Sequence, residues 1–267
     1  MKRISIIIPA HNEEERLKKY KILESYLDFF RRLRKEKKLD FEIVIVLNAC
    51  TDKTRQVVED VIRKKKAFRE IRILEFKEAG KGFAITRGFK DALKRKNDLI
   101  GFVDADHSTP AKAFYDLVKK IGRYDGVIAD RWSKRSKIRI KQPLIRRILS
   151  RGYNLMVRLM FHLSFRDTQC GAKLFKREIL EKRIHLMKSS QWGYDVALLF
   201  CLKKGGAKIK AVPTIWNDAK KSKVDIIKTL LKMFISLIRL RLMHSPFKFI
   251  VRLYNRLPEK LKIHNKF

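Results

Sequence analysis

Short apolar runs rich in β-branched residues alternate with amphipathic segments through the first half of this 267-residue chain. This alternation is typical of βαβ units, in which each strand is followed by a helix that packs on a mostly parallel sheet. The predicted strands are Ile4–Ile8, Phe41–Leu47, Ile71–Phe76, Leu99–Val103 and Gly126–Ala129. The predicted helices are Glu13–Arg34, Thr54–Lys65, Gly82–Lys94 and Pro110–Lys119. We therefore expect an α/β fold with a mostly parallel central sheet and flanking helices.

Two carboxylates stand directly after the fourth predicted strand. They belong to Asp104 and Asp106, and the following run Ser108-Thr109-Pro110 is typical of a helix start. Open α/β sheets bind ligands at the carboxyl ends of their strands. Two hard oxygen donors there can hold Mg²⁺ or Mn²⁺ and leave coordination positions for a diphosphate. The triplet therefore predicts a metal site of Asp104 and Asp106 with Ser108 as a further contact; taken alone, it is also compatible with a capped turn.

Polar residues also follow the first two predicted strands. The first strand leads into Pro9-Ala10-His11-Asn12-Glu13, which suits contacts to a base and ribose but also forms a good helix N-cap. The second strand leads into the polar cluster Asn48–Thr54. The turn Gly80-Lys81-Gly82 then opens a helix, where glycines permit close backbone approach and a lysine can meet a phosphate. A plain glycine-containing loop is the alternative for that turn.

The charge balance of the chain is extreme. It has 65 Lys and Arg residues against 28 Asp and Glu residues, a formal net charge of +37. Such a field attracts polyanions, which points to nucleic acid, an anionic membrane surface or phosphorylated substrates. The excess is concentrated in the second half, since residues 131–166 contain eleven basic residues and no acidic one. A hydrophobic content of 45% argues against a disordered chain.

Two stretches, residues 141–165 and 225–243, combine basic residues with long apolar side chains in a helical pattern. A basic stripe on a wide apolar helix is typical of a membrane interface; a core-facing helix and a dimer helix are the alternatives. No run free of Asp, Glu, Lys and Arg exceeds nine residues, whereas a span needs about 18–20. No signal peptide is recognisable, and three widely spaced cysteines suit a reducing compartment. We expect a peripheral protein on the cytoplasmic face of a membrane, without a transmembrane helix.

The polar strand ends resemble, in order and spacing, family 2 glycosyltransferases of the GT-A fold. The family pattern of Pro-x-x-Asn-Glu, Thr-Asp-x-Thr, Gly-Lys-Gly and Asp-x-Asp matches residues 9–13, 51–54, 80–82 and 104–106. Segments that resemble the dolichyl-phosphate glucosyltransferase and mannosyltransferase branch are 150–165, 166–175, 191–196 and 212–217. The resemblance runs from Ile4 to about Val224. It implies a GT-A nucleotide-diphospho-sugar transferase domain at 1–223. The charge and apolar patterns predict interfacial helices inserted at 141–165 and a basic amphipathic helical segment at 224–267.

The resemblance also implies a reaction. It is an inverting, metal-dependent transfer of a hexose from a nucleotide sugar to a polyprenyl or dolichyl phosphate, with UDP-glucose as the favoured donor and GDP-mannose next. Mg²⁺ or Mn²⁺ is the implied cofactor. The implied catalytic residues are Asp104, Asp106 and Asp195, of which Asp195 is either a base or a structural carboxylate. The implied donor-binding residues are Pro9, Ala10, His11, Asn12, Glu13, Asn48, Asp52, Lys81, Asp104 and Ala105.

The acceptor side has its own candidates. A phosphate monoester is already anionic near neutral pH, so it needs charge compensation more than deprotonation, and the forked donors of arginine suit it. The candidate residues for binding the acceptor phosphate or the sugar are Arg131, Arg135, Arg147, Arg151, Gln169 and Trp192.

Several alternatives stay open from the sequence. The second strand ends in Asn48-Ala49-Cys50 where the family usually has Asp-Asp-Gly, which leaves the preferred base undecided. Another lipid or glycan acceptor is one alternative, and a basic nucleic-acid-binding protein is another. The chain carries no RNA-recognition or helix-turn-helix signature, so we expect no nucleic-acid partner. The sequence leaves the oligomeric state open.

Overall fold

A computed structural model describes residues 1–140, 143–186, 193–217 and 226–256. The strands of these residues are β1 (Arg3–Ala10), β2 (Asp40–Asn48), β3 (Ile71–Phe76), β4 (Leu99–Val103), β5 (Gly126–Asp130), β6 (Lys137–Ile140), β7 (Ala172–Lys176), β8 (Ile209–Pro213) and β9 (Ile215–Asn217). The helices are α1 (Glu14–Tyr20), α2 (Ile22–Lys35), α3 (Thr54–Lys65), α4 (Lys81–Leu93), α5 (Ala111–Lys120), α6 (Leu144–Phe161), α7 (Arg177–Arg183), α8 (Tyr194–Lys204), α9 (Ile226–Met243) and α10 (Lys248–Arg256).

Seven of the strands form one central sheet in the order β3-β2-β1-β4-β7-β5-β8. Its neighbours are parallel except at β7, which runs antiparallel to both β4 and β5. Every residue of β1 from Ile4 to Ala10 is buried, because helices cover both faces of the sheet. Strands buried in this way are continuous apolar runs rather than alternating ones. β6 and β9 form a separate parallel pair. The mostly parallel α/β sheet expected from the sequence is confirmed.

The two faces of the sheet hold separate apolar clusters. On the face that carries α2 and α5, aromatic rings of Tyr26, Phe30 and Phe114 pack together. On the other face, below α4 and α8, the ring of Phe89 contacts those of Phe102 and Phe175. All six of these rings are fully buried. The two clusters hold the strands, and therefore the strand ends, in fixed positions.

The five predicted strands and three of the four predicted helices are confirmed to within two residues at each end. The prediction of one continuous helix at Glu13–Arg34 is wrong, because Lys21 adopts a left-handed φ of 48°. The N–H of Lys21 donates to Leu17 O at 3.1 Å and ends α1, and α2 begins at the next residue. Leu17 and Ile22, on either side of this break, are both buried. Burial of both side chains outweighs the local preference for an uninterrupted helix.

Apolar side chains are exposed on α6, α9 and α10. On α6 they are Leu144, Ile145, Ile148, Leu155 and Leu159. The opposite face of α6 buries Tyr153 and Val157, and α6 packs against α9. Among the described residues, no helix has both the length and the apolar character that crossing a membrane requires. The predicted boundary between residues 223 and 224 lies outside the described residues, so the division into a catalytic domain and a C-terminal segment stays a prediction.

Candidate active site

The ends of several strands meet at one edge of the sheet. β1, β2 and β4 are parallel neighbours, so the residues that follow them lie at the same edge. β7 runs in the opposite direction and therefore begins where β4 ends. The N–H of Asp104 donates to Gly171 O at 3.1 Å. The loop before β7 is thereby joined to the aspartate triplet.

Four charged side chains of alternating sign form a row at this edge. Lys81 Nζ lies 2.6 Å from Asp104 Oδ1 and 3.9 Å from Asp195 Oδ2. The other oxygen of Asp195, Oδ1, accepts a hydrogen bond from Lys173 Nζ at 2.5 Å. The four residues come from four places in the chain: the end of β4, the start of α4, the first turn of α8 and the middle of β7. Lys81 thus lies between two carboxylates that distant segments supply.

Sequence reasoning misses Lys173. Its side chain is completely buried, its Nζ also donates to Cys170 O at 2.6 Å, and the ammonium lies 5.2 Å from the centre of the Phe102 ring. Lysines are almost never fully buried unless they are paired. The available signal is a single lysine within the apolar run from Ala172 to Phe175, which becomes informative only when that run is recognised as a central strand.

Burial and neighbouring charges raise the pKa values of both Asp104 and Lys81, but by different balances of causes. Burial raises the pKa of Asp104; Lys81 lowers it and Asp106 raises it further, so that the net shift is upward. For Lys81, burial alone would lower the pKa, but attraction by Asp104 and Asp195 outweighs burial and raises the pKa above its usual value. The Lys81 ammonium is therefore charged at neutral pH. The site pairs a constant positive charge with a cluster of carboxylates.

The two aspartates of the triplet fit a divalent metal ion that shares its ligands with a nucleotide. Asp104 already holds a cation, the ammonium of Lys81, at 2.6 Å from one oxygen. Asp106 Oδ1 accepts from the backbone N–H of Ser108 at 2.9 Å, which orients this carboxylate. The described part of the chain has no group of three or more His, Cys, Asp or Glu side chains arranged around a metal position. Two carboxylates with further oxygens from a diphosphate and water are what Mg²⁺ or Mn²⁺ accepts.

The predicted donor-binding residues after β1 are tied to the loop after β2. Asn12 Oδ1 accepts from the N–H of Thr51 at 2.8 Å, and the N–H of Glu13 donates to Thr54 Oγ1 at 2.8 Å. Asp52 in turn accepts from the N–H of Thr54 at 3.0 Å. The structure therefore brings both predicted loops together as one surface. Asn12 and Asp52 act within that surface as loop contacts.

Asn48 connects three segments of the site. The side chain is buried, and in the amide orientation that satisfies both of its atoms the nitrogen donates to Ala10 O at 2.9 Å while the oxygen accepts from the N–H of Gly80 at 3.0 Å. Its backbone carbonyl accepts from His11 Nδ1 at 2.7 Å. Asn48 thus fixes the end of β1 and the turn that carries Lys81. A base edge that bonded to this amide would have to replace one of these partners.

A pocket of about 200 Å³ contains three of the predicted acceptor residues, Arg131, Arg147 and Arg151. The remaining lining residues are Trp132, Ser133, Ser136, Ile138 and Trp216. The guanidinium of Arg151 lies 5.2 Å from the Trp132 ring, and that of Arg131 lies 5.1 Å from the Trp216 ring. A small, strongly basic pocket with aromatic walls suits one anionic group with an apolar attachment.

Arg131 is held in this pocket by a buried ion pair. Its Nε and Nη2 donate to the two oxygens of Asp167 at 2.6 Å and 2.9 Å, and its backbone N–H donates to the same carboxylate at 3.0 Å. Burial alone would raise the pKa of Asp167, but Arg131 outweighs burial and lowers it. Asp167 also accepts from the N–H of Cys170 at 3.1 Å. The loop that contacts Asp104 therefore also anchors the basic pocket.

The other predicted acceptor residues lie in different surroundings. Arg135 is exposed and does not line the pocket. Gln169 lies in the loop before β7, and its Nε2 is buried with no hydrogen-bond partner among the described residues. A buried amide nitrogen of this kind is normally satisfied by a polar atom, here one that a ligand can supply. Trp192 lies outside the described residues.

The sequence matches the model of Glycosyl transferase family 2 over residues 5–184. A dolichyl-phosphate beta-glucosyltransferase of Dictyostelium discoideum is 30% identical over 246 residues, which cover 89% of this chain and 73% of that protein. A dolichyl-phosphate beta-glucosyltransferase of Trichomonas vaginalis is 32% identical over 248 residues, which cover 90% of this chain and 73% of that protein.

The fold resembles that of glucosyl-3-phosphoglycerate synthase from Mycobacterium tuberculosis, crystallised with Mn²⁺, uridine diphosphate and phosphoglyceric acid. The TM-score is 0.62 at 16% identity, and the match covers 90% of this chain and 78% of that one. The GT-A architecture expected from the sequence is confirmed by this similarity. The residues that contact substrates in this chain stay a prediction.

Proposed function

Because this chain belongs to glycosyl transferase family 2, we propose that it transfers glucose from UDP-glucose to a polyprenyl phosphate, such as dolichyl phosphate, at a membrane surface. GDP-mannose is the second donor to test. The observation that carries this proposal is the division of α6 into two functional faces. Arg147 and Arg151 of this helix line the basic pocket, whereas Leu144, Ile145 and Ile148 are exposed. One helix thus presents charge for a phosphate next to an apolar surface for a lipid tail.

The donor side is built on the strand ends. Asp104 and Asp106 would hold Mg²⁺ or Mn²⁺, which in such a site neutralises the charge that develops on the leaving diphosphate. Lys81 would contribute a further positive charge to the diphosphate. The joined loops after β1 and β2 would carry the nucleoside, with Pro9 and Ala10 at the end of β1 as backbone contacts.

The acceptor side follows from the charge of a phosphate monoester. Arg147 and Arg151 would bind its oxygens, and Arg131, fixed by Asp167, would hold the wall of the pocket. One phosphate oxygen attacks the anomeric carbon from the side opposite the diphosphate. The bond from that carbon to the diphosphate oxygen breaks as the new bond to the phosphate oxygen forms, and the configuration inverts.

Asp195 would orient the site rather than accept a proton. The acceptor oxygen is already ionised, so the reaction needs no base at this position. The carboxylate of Asp195 is bonded by Lys173 and lies near Lys81. Its charge therefore has two partners, and its role in this proposal is to place Lys81.

The membrane surface is the proposed place of reaction. Exposed apolar residues also lie on α10, where they are Phe249, Ile250 and Leu253. The surrounding sequence from 220 to 267 has thirteen basic residues and two acidic ones, which favours an anionic lipid surface. Three unpaired cysteines suit the cytoplasmic face. We place the protein there as a peripheral enzyme.

The test is transfer into lipid. The protein is incubated with vesicles that contain polyprenyl phosphate, with Mn²⁺, and with labelled UDP-glucose or labelled GDP-mannose, and the lipid phase is extracted. We expect label in the lipid phase with UDP-glucose, and none when polyprenol replaces polyprenyl phosphate. The matched control is Asp125→Asn, an exchange far from the triplet that should keep the activity, whereas Asp104→Asn should remove it. If neither labelled donor gives label in the lipid phase, the proposal is contradicted.

A further inference from the structure

Lys81 is paired with Asp104, one of the two residues that would hold the metal ion. Its Nζ is 2.6 Å from Asp104 Oδ1, within the distance at which an oxygen ligand contacts a cation. The backbone that carries Lys81 is fixed, because Asn48 accepts from the N–H of Gly80 and α4 begins at Lys81 itself. The end of the side chain has room to turn, since the side chain is 38% exposed.

A second acceptor for this ammonium is already in place. Asp195 Oδ2 is 3.9 Å from Lys81 Nζ, a distance that a change of side-chain torsion closes. Asp195 itself does not need to move, because Lys173, completely buried, holds its other oxygen. Lys81 therefore has two carboxylates within reach, one belonging to the metal pair and one fixed outside it.

We propose that Lys81 is a replaceable counter-ion: it neutralises Asp104 in the free enzyme and moves to Asp195 when a divalent cation arrives with a nucleotide. This inference rests on the proposed function, since it requires the metal at Asp104 and Asp106. An ammonium and a divalent cation on the same carboxylate oxygen repel each other strongly at such short separations. The diphosphate brings the negative charges that allow both cations to remain in the site.

The consequence is that nucleotide and metal bind together. In the free enzyme Lys81 can move to Asp195, but no phosphate offsets the repulsion between the ammonium and the metal ion, so binding of the metal alone is weak. With a nucleoside diphosphate present, its negative charges offset this repulsion, so displacement of Lys81 costs less. The lysine thereby makes metal binding conditional on the donor, which is a coupling between two ligands of one site.

The experiment measures bound Mn²⁺ rather than turnover. Free Mn²⁺ is followed by electron paramagnetic resonance during titration of the wild type, Lys81→Met and Lys77→Met, each with and without UDP. Lys77 is an exposed lysine in the loop before α4 and serves as the matched control. Without UDP, we expect Lys81→Met to bind Mn²⁺ about tenfold more tightly than the wild type, and Lys77→Met to match the wild type. With UDP, the advantage of Lys81→Met should shrink or reverse.

The outcomes separate this inference from the proposed function. Equal Mn²⁺ affinity of the wild type and Lys81→Met without UDP overturns the counter-ion role but leaves the metal site in place. Failure of every protein to bind Mn²⁺ even with UDP overturns the metal site and, with it, both proposals. Lys81→Gln, which keeps a polar end of similar length, repeats the test if the methionine variant does not fold. Asp104→Asn should abolish Mn²⁺ binding both in the wild type and in Lys81→Met. This result would assign the measured binding to the site at Asp104.

Discussion

Gly171 packs directly against the carboxylate of Asp104: a Cβ atom added to this glycine would lie 1.8 Å from Asp104 Oδ2. No side chain can occupy that space without moving the carboxylate or the loop. The contact couples Asp104 of the proposed metal pair to the loop that ends in Gly171 and contains Asp167, the partner of Arg131. The proposed donor and acceptor sides of the site therefore share one short segment of backbone.

The first prediction follows from this contact. Gly171→Ala should displace Asp104 and reduce the transfer rate by about 100-fold or more, because a misplacement of about 1 Å in a catalytic group has effects of that size. Gly152→Ala is the matched control, since a Cβ there meets no atom within 4 Å on exposed helix α6. It should keep the activity and stabilise the fold by about 0.5–1 kcal/mol. Full activity of Gly171→Ala, measured beside its melting temperature, contradicts the assignment of Asp104.

The second prediction concerns the buried pair of Lys173 and Asp195. Lys173→Met leaves the Asp195 carboxylate without its main partner and should destabilise the fold by about 3–5 kcal/mol. The double variant with Asp195→Asn removes both charges and should regain more than half of this loss. Urea unfolding of the two single variants and the double variant gives the coupling between them. Lys90→Met, an exposed exchange on α4, is the control and should stay within about 0.5 kcal/mol of the wild type. Additive losses in the double variant would show that the pair is not coupled.

The third prediction separates pocket arginines from surface arginines. Arg151→Ala removes a charged donor from the basic pocket and should raise the KM for polyprenyl phosphate about 10- to 100-fold, as expected for a charge-assisted hydrogen bond. The KM for UDP-glucose should change less than about twofold. Arg135 does not line the pocket, so Arg135→Ala should leave the KM values for both substrates unchanged. Steady-state kinetics with each substrate varied in turn distinguishes these cases, and a uniform effect on both KM values refutes an acceptor role.

The fourth prediction is a pH dependence of stability. Arg131 holds the pKa of Asp167 below its usual value, so the pair stabilises the fold above the unfolded pKa of about 3.9, and this contribution disappears as the pH falls through the folded value. In Arg131→Met the buried carboxylate loses its partner, which should cost about 3–5 kcal/mol at pH 7. In that variant Asp167 takes up a proton at higher pH, which relieves the cost. The difference between the two proteins in urea unfolding should therefore shrink from pH 7 to pH 3, and a constant difference disproves the pairing.

The sequence reveals the fold because its signals are local. β-branched runs such as Ile4–Ile8 are buried on both faces of the sheet, and their continuous apolar character is visible without the structure. The break at Lys21 is not visible, because it depends on the burial of Leu17 and Ile22 in a core that many segments build. The strand β7 is equally hidden, since a lysine interrupts its apolar run.

The site is only partly readable from the sequence, for the same physical reason. Asp104 and Asp106 can be predicted from the sequence because they directly follow a strand. The arginines of the pocket can be predicted because basic residues are dense in that part of the sequence. Lys173 does not, because its importance comes from a partner 22 positions away that only the fold brings near. Asn48 is predicted to bind the donor, and the two protein partners that the structure gives its amide are not visible in the sequence. Side-chain partners that only the tertiary fold brings together have no fixed spacing along the chain, so a single sequence does not reveal them.

The fifth prediction tests the apolar face of α6. Ile145 and Ile148 are 68% and 59% exposed, and each side chain contributes about 1.5–3 kcal/mol when it is fully withdrawn from water. The double exchange of both residues to Ser should therefore weaken binding to anionic vesicles at least about tenfold in a sedimentation assay. The fold should be unaffected, because neither side chain belongs to a buried cluster.

Phe68→Ser is the control for this double exchange, because Phe68 is 70% exposed but lies between α3 and β3, away from α6. Its vesicle affinity should equal that of the wild type. Raising the salt concentration should weaken binding of all three proteins, since the basic residues act through a screened attraction to the lipid headgroups. The apolar contribution of Ile145 and Ile148 should persist at high salt, where the charges no longer act. Equal vesicle affinity of the wild type and the double variant at every salt concentration would exclude α6 as the membrane contact, and the acceptor would then have to reach the pocket without help from this helix.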